Sequence, residues 1–263
     1  MAWRISGLPR PRVHGVFQPV PFLGFMAALS VATVAAVAFL LRRFEGRSLA
    51  ALGLPRDRSA LAGLAAGSLV GFVPVALTVA LGVAFGYGDV VRAGGNGVRL
   101  GSALAPFLLG TVLISAWEEF LWRGYVLQVL GEAVGRGAAA VATALLWSAG
   151  HLFNEGATPI GLVATAASGV VLAWVVFRTG SLWLAFGYHV AWNVSSIHLF
   201  GLTTSGVEQS PALFHTTLRG PSWLAGGAYG FEASLVTGLL DVATLSALLL
   251  LAARRPGYPD TPR

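Results

Sequence analysis

Long apolar stretches alternate with short polar breaks along almost the whole chain. The clearest are Pro21–Leu41, Ala60–Phe85, Ala138–Leu152, Ile160–Phe177, Leu182–Leu199 and Phe231–Ala252. A bilayer's hydrocarbon core takes about 20 mostly apolar residues per helix, so each stretch predicts a membrane-spanning helix. A further region, Leu100–Leu130, is apolar but interrupted by the run Trp117-Glu118-Glu119-Phe120-Leu121-Trp122-Arg123. It reads either as one long helix or as two shorter ones. The expected fold is all-α, a polytopic transmembrane helix bundle of seven to eight spans. Gly201–Gly230, rich in Gly, Ser, Thr and Pro, is the one sizeable polar piece and is too short for a domain of its own. Residues 1–263 are therefore read as a single transmembrane domain.

Arginines lie before the first span (Arg4, Arg10, Arg12), after it (Arg42, Arg43, Arg47, Arg56, Arg58) and in the tail (Arg254, Arg255, Arg263). This distribution does not by itself orient the bundle; our reading is eight spans with cytoplasmic termini. No small-residue cleavage site follows the first span, so that span is expected to be retained.

Composition sharpens the class. The 263 residues are 56% hydrophobic and only 11% charged, where soluble domains carry roughly 25% charged residues. There is no cysteine and no lysine, so all 17 basic residues are arginine. Disulfides, thiolate nucleophiles, iron–sulfur clusters and zinc–cysteine sites are excluded, as are the usual P-loop, Schiff bases and Ser-Lys dyads. The net charge of +6 reflects arginines over few acids. Arg42, Arg43, Arg254 and Arg255 cap apolar runs and are read as headgroup anchors. The expected partner is the lipid bilayer, with no nucleic acid. An alanine-, glycine- and arginine-rich composition of this kind looks bacterial, which points to the inner membrane.

Charged groups at membrane depth are costly and persist where they pair, line a cavity or perform chemistry. The candidates are Glu118, Glu119, Arg123, His151, His189, Asn193 and Asp241. On a helix, Glu119 and Arg123 at i,i+4 share a face, whereas Glu118 lies about 100° from Glu119. Glu119 is thus expected to stay ionised against Arg123. Glu118, less compensated, is expected to have a raised pKa suited to a general base. The same spacing also suits a purely structural ion-pair network. His189 and Asn193, again at i,i+4, offer two donors to a developing oxyanion or an interhelical hydrogen-bonding pair. Converging on one cavity, a carboxylate, an imidazole and these donors would suit hydrolysis of an acyl bond. Asp241 is read as a helix-packing or hydration group, or as one that shapes the cavity, and His198 and His215 as surface histidines.

These residues resemble the three-part signature of the CPBP intramembrane proteases, the family of CAAX prenyl endopeptidases and bacteriocin-processing (Abi) proteins. Glu118-Glu119-Phe120-Leu121-Trp122-Arg123 matches Glu-Glu-x-x-x-Arg and is followed by Gly124-Tyr125. Trp147 to His151 matches Phe-x-x-x-His, with Trp for Phe at what is read as a packing position. His189 to Asn193 matches His-x-x-x-Asn. The protease-like core covers about residues 100–200. The resemblance implies an endopeptidase in which Glu118 and His151 activate water, His189 and Asn193 form the oxyanion hole, Arg123 holds the acidic pair and Glu119 supports it. It favours metal-free water activation without a cofactor; the alternative is zinc held by Glu118, His151 and His189. The implied substrate is a membrane-embedded or membrane-associated peptide or protein. The rival readings are a non-proteolytic membrane immunity or scaffold protein of the same family and a small proton-coupled transporter.

Overall fold

A computed structural model of the chain describes residues 12–13, 16–17, 19–94, 97–207 and 211–253. Arg4, Arg10, Arg254, Arg255 and Arg263, named above, lie outside the described residues. The apolar stretches fold as helices in chain order: α1 Pro19–Leu40, α2 Arg58–Ala84, α3 Gly97–Glu119, α4 Leu127–Val134, α5 Arg136–Ala149, α6 Pro159–Thr179, α7 Leu182–Asn193, α8 Ser222–Ala225 and α9 Leu235–Ala253. Local chemistry sets several ends. Asp57 caps α2 by accepting from the Ser59 amide at 2.8 Å, and Thr158 caps α6 by accepting from the Gly161 amide at 3.1 Å, with Pro159 in the first turn. Both satisfy amide donors that a helix start leaves open.

The interrupted region is one helix, not two. α3 and α4 are joined without a break by a π-helical stretch, Phe120–Val126, giving a continuous rod Gly101–Val134 of 34 residues. Among the described residues, four helices are long and apolar enough to cross a membrane: Leu23–Glu45, Arg58–Ala84, Gly101–Val134 and Pro159–Thr179. The stretch expected over Ala138–Leu152 is shorter: α5 holds 14 residues, about 21 Å at 1.5 Å per residue, and Leu152 lies in the turn after it. The last helix begins at Leu235, because Phe231–Ala233 forms a 3₁₀ turn.

Polarity runs from outside to inside. Val31, Phe39, Leu61, Leu69, Leu145, Val163, Leu239 and Leu250 are exposed on the outer faces, while Ser115, Glu119, Arg123, Ser168, His189 and Asp241 are buried. Helices apolar on all sides suit a lipid surround, and their few polar groups turn toward one another. Small residues let α2 and α7 approach closely. A Cβ at Gly67 would stand 2.0 Å from the Leu184 carbonyl oxygen, and one at Gly71 would stand 2.1 Å from that of Tyr188. Backbone-to-backbone contact of this kind is how membrane helices pack without a hydrophobic driving force. It fixes α7, which carries His189 and Asn193.

The polar piece Gly201–Gly230 is not only turns. Its strand Phe214–Leu218 pairs antiparallel with Gly88–Arg92 after α2, with Gly88 opposite Leu218 and Arg92 opposite Phe214. His215 is exposed on this ribbon, as expected. His198 is not a surface histidine. It is 3% exposed, at the π-helical end of α7 (Val194–Leu199). Its Nδ1 pairs with the Pro211 carbonyl at 3.0 Å and its Nε2 with the Thr111 hydroxyl at 2.8 Å.

Candidate active site

A cavity of about 600 Å³ opens among the helices, lined by Glu118 from α3, Trp147 from α5, His151 just past α5, and His189 and Asn193 from α7. All four residues expected to carry chemistry thus share one space. Glu119 and Arg123 lie behind this wall, 1% and 3% exposed. Their ion pair forms as the spacing predicts, with Arg123 Nη1 donating to Glu119 Oε1 at 2.9 Å. The π-helical stretch begins at the residue after Glu119. Such local widenings of a helix occur frequently at functional sites.

His189 is held by Glu119, not by Glu118. Its Nδ1 lies 2.8 Å from Glu119 Oε1, while its Nε2 is 4.0 Å from Glu118 Oε2. A ring that gives Nδ1–H to a carboxylate presents Nε2 on its far side. Asn193 is anchored through Nδ2, which donates to Ser115 Oγ at 3.2 Å; Ser115 in turn donates to the Thr111 carbonyl at 2.9 Å. His151 gives Nδ1–H to the Trp147 carbonyl at 2.9 Å, and its Nε2 has no hydrogen-bond partner among the described residues. The neutral tautomer so defined has a bare Nε2 able to take a proton.

Trp147 does more than pack. Its indole N–H donates to Glu118 Oε2 at 2.6 Å, and the Arg123 guanidinium carbon stands 4.0 Å from its ring centroid. The side chain packs, as expected, and in addition carries these two polar contacts. Read from spacing, the position offered only an aromatic four residues before a histidine; the hydrogen bond needs α3 and α5 side by side.

Two further carboxylates line the cavity. Asp241, read as a packing or hydration group or as one shaping the cavity, accepts from the Ser168 hydroxyl and from the Tyr188 hydroxyl, the latter at 2.8 Å. Glu232 accepts from Trp192 Nε1 at 2.8 Å and from the Ser205 hydroxyl. Glu232 gave no signal in the sequence, because it sits at the polar edge of an apolar run where acids are ordinary. Beside it, in the turn outside the spans, burial and the neighbouring Glu232 push the Tyr229 hydroxyl well above its usual pKa. Among the described residues no three His, Asp or Glu side chains are gathered closely enough to hold a metal ion.

Residues 100–195 match the family model described as type II CAAX prenyl endopeptidase Rce1-like. Over this segment the chain is similar to the Rce1-like family. It runs from α3 into the end of α7 and contains Glu118, Glu119, Arg123, His151, His189 and Asn193, so it includes all three motifs. The match indicates a CAAX-type intramembrane protease, a hydrolase. No curated protein and no solved structure matches the chain. Glu232 and Asp241 lie outside the Rce1-like segment yet line the same cavity.

Proposed function

We propose that the chain is an intramembrane endopeptidase, working without a metal or cofactor in the cell membrane of a bacterium, on a membrane-embedded or membrane-associated peptide. The observation that carries this reading is that Glu118, His151, His189 and Asn193, brought by three separate parts of the bundle, line one cavity.

In this mechanism Glu118, with His151 lining the same cavity, takes a proton from water as the water oxygen bonds to the scissile carbonyl carbon. The carbonyl oxygen becomes an oxyanion, and Asn193 Nδ2–H and the far side of His189 face it as donors. His189 donates from Nε2 when its ring carries the second proton. Collapse of the tetrahedral intermediate breaks the C–N bond, and the proton taken from water passes to the leaving amine. Donors fixed in advance act where charge develops, which is why the anchoring of Asn193 on Ser115 and of His189 on Glu119 supports the reading.

The test is a comparison of membrane peptides between cells carrying the wild type and cells carrying Glu118→Ala or His151→Ala, with membrane insertion checked in each. Cleavage products present with the wild type and missing with both variants are expected. Unchanged products in either variant would sink the mechanism.

A further inference from the structure

Trp147 meets each titratable or charged group that the three motifs bring to the cavity wall. Besides its hydrogen bond to Glu118 and its stack under Arg123, its ring stands edge-on to His151 and His189, with centroids 5.4 and 5.9 Å away. Gly169 on α6 makes room for it, since a Cβ there would meet Trp147 Cε3 at 3.3 Å.

A glutamate carboxylate turns easily about its last torsion, which is broad and roughly two-fold. A single strong donor on one oxygen fixes its plane. The indole N–H is such a donor, aimed at a carboxylate, where hydrogen bonds are roughly twice as strong as between neutral groups. It has no acceptor and does not titrate, so it cannot relay the proton. Its effect on Glu118 is orientation. With Oε2 held, Oε1 carries no hydrogen bond among the described residues.

We propose that Trp147 is a positioning residue for Glu118: its N–H holds Oε2, leaving Oε1 to receive the proton of the attacking water. Its ring, carrying Arg123, ties that orientation to the buried Glu119–Arg123 pair. This rests on the reading of Glu118 as the base. The same indole that orients the base also packs against both imidazoles, so one side chain from α5 touches both α3 and α7.

The test uses the full chain in lipid nanodiscs with ¹⁵N-indole-labelled tryptophan. Trp147→Phe keeps an aromatic face, though a smaller one, and removes the donor, and it identifies the Trp147 indole cross-peak by its loss. In Glu118→Ala that cross-peak is expected to move upfield as the carboxylate acceptor disappears. A cross-peak that stays in place overturns the proposal, and this arm needs no substrate. On a membrane peptide that the wild type cleaves, Trp147→Phe is expected to lower kcat by roughly 10- to 100-fold with KM within about twofold. Wild-type kcat, or a loss confined to KM, would overturn it. A wild type that cleaves no membrane peptide removes the endopeptidase reading, while the cross-peak still decides the contact between Trp147 and Glu118.

Discussion

His189 and Glu119 are joined across α7 and α3, Nδ1 to Oε1 at 2.8 Å, on the same oxygen that accepts from Arg123. Glu119 is thus the link between two motifs that stand 70 residues apart in the chain. Removing one partner of a buried ion pair costs about 3–5 kcal/mol, because the other charge is left uncompensated. Glu119→Gln is therefore expected to lower the yield of folded protein and its thermal midpoint as well as its activity. A variant that expresses and melts like the wild type would contradict the assigned link.

Metal removal separates the two water-activation chemistries. Because no three ligating side chains are gathered among the described residues, activity in nanodiscs is expected to survive exhaustive chelation, and the purified protein to carry zinc well below one equivalent. Loss of activity on chelation, restored by added zinc, would reverse that choice.

Asp241 holds two hydroxyls, those of Ser168 on α6 and Tyr188 on α7. Truncation leaves both buried without their acceptor, at about 1–3 kcal/mol for each unsatisfied group, although measured values in membrane bundles run lower, averaging about 0.6 kcal/mol. Asp241→Ala is expected to lower the thermal midpoint measurably, and Asp241→Asn, which keeps one acceptor, by less. Equal midpoints for all three proteins would show that the two bonds contribute nothing.

The close approach of α2 and α7 makes a prediction remote from the chemistry. Overpacking a tight core costs typically 1–3 kcal/mol, and at Gly71 the added methyl meets backbone, which cannot swing aside. Gly71→Ala should therefore push α7 away from α2 and reduce both thermal stability and turnover. At Gly24, where nothing lies within 4 Å of an added Cβ, alanine is expected to be neutral. Equal melting of the two variants would refute the packing argument.

Much of the site was legible in the sequence because intramembrane charge is expensive. Glu118, Glu119, Arg123, His151, His189 and Asn193 stood out against apolar neighbours, and the i,i+4 rule paired Glu119 with Arg123 correctly. Helical periodicity could not show which element lies beside which. The indole bond from Trp147 to Glu118, the seat of His189 on Glu119, and the arrival of Asp241 and Glu232 at the same cavity all depend on helix neighbours distant in the chain. His198 was misjudged for the same reason: a helix end looks exposed until the segment after it folds back and Pro211 covers the ring.

Composition and periodicity alone determined that this chain is a membrane helix bundle, because only helices and closed barrels keep backbone polar groups satisfied in hydrocarbon, and continuous apolar runs of about 20 residues suit helices. They also singled out the few ionisable and strongly polar residues at membrane depth, by scarcity. The tertiary structure decided that the interrupted apolar region is one helix, and which oxygen each donor meets. The reason is physical: burial cost acts residue by residue and leaves its mark in composition, whereas hydrogen-bond partnership is set by distance and angle between side chains, which exist only once the helices have packed.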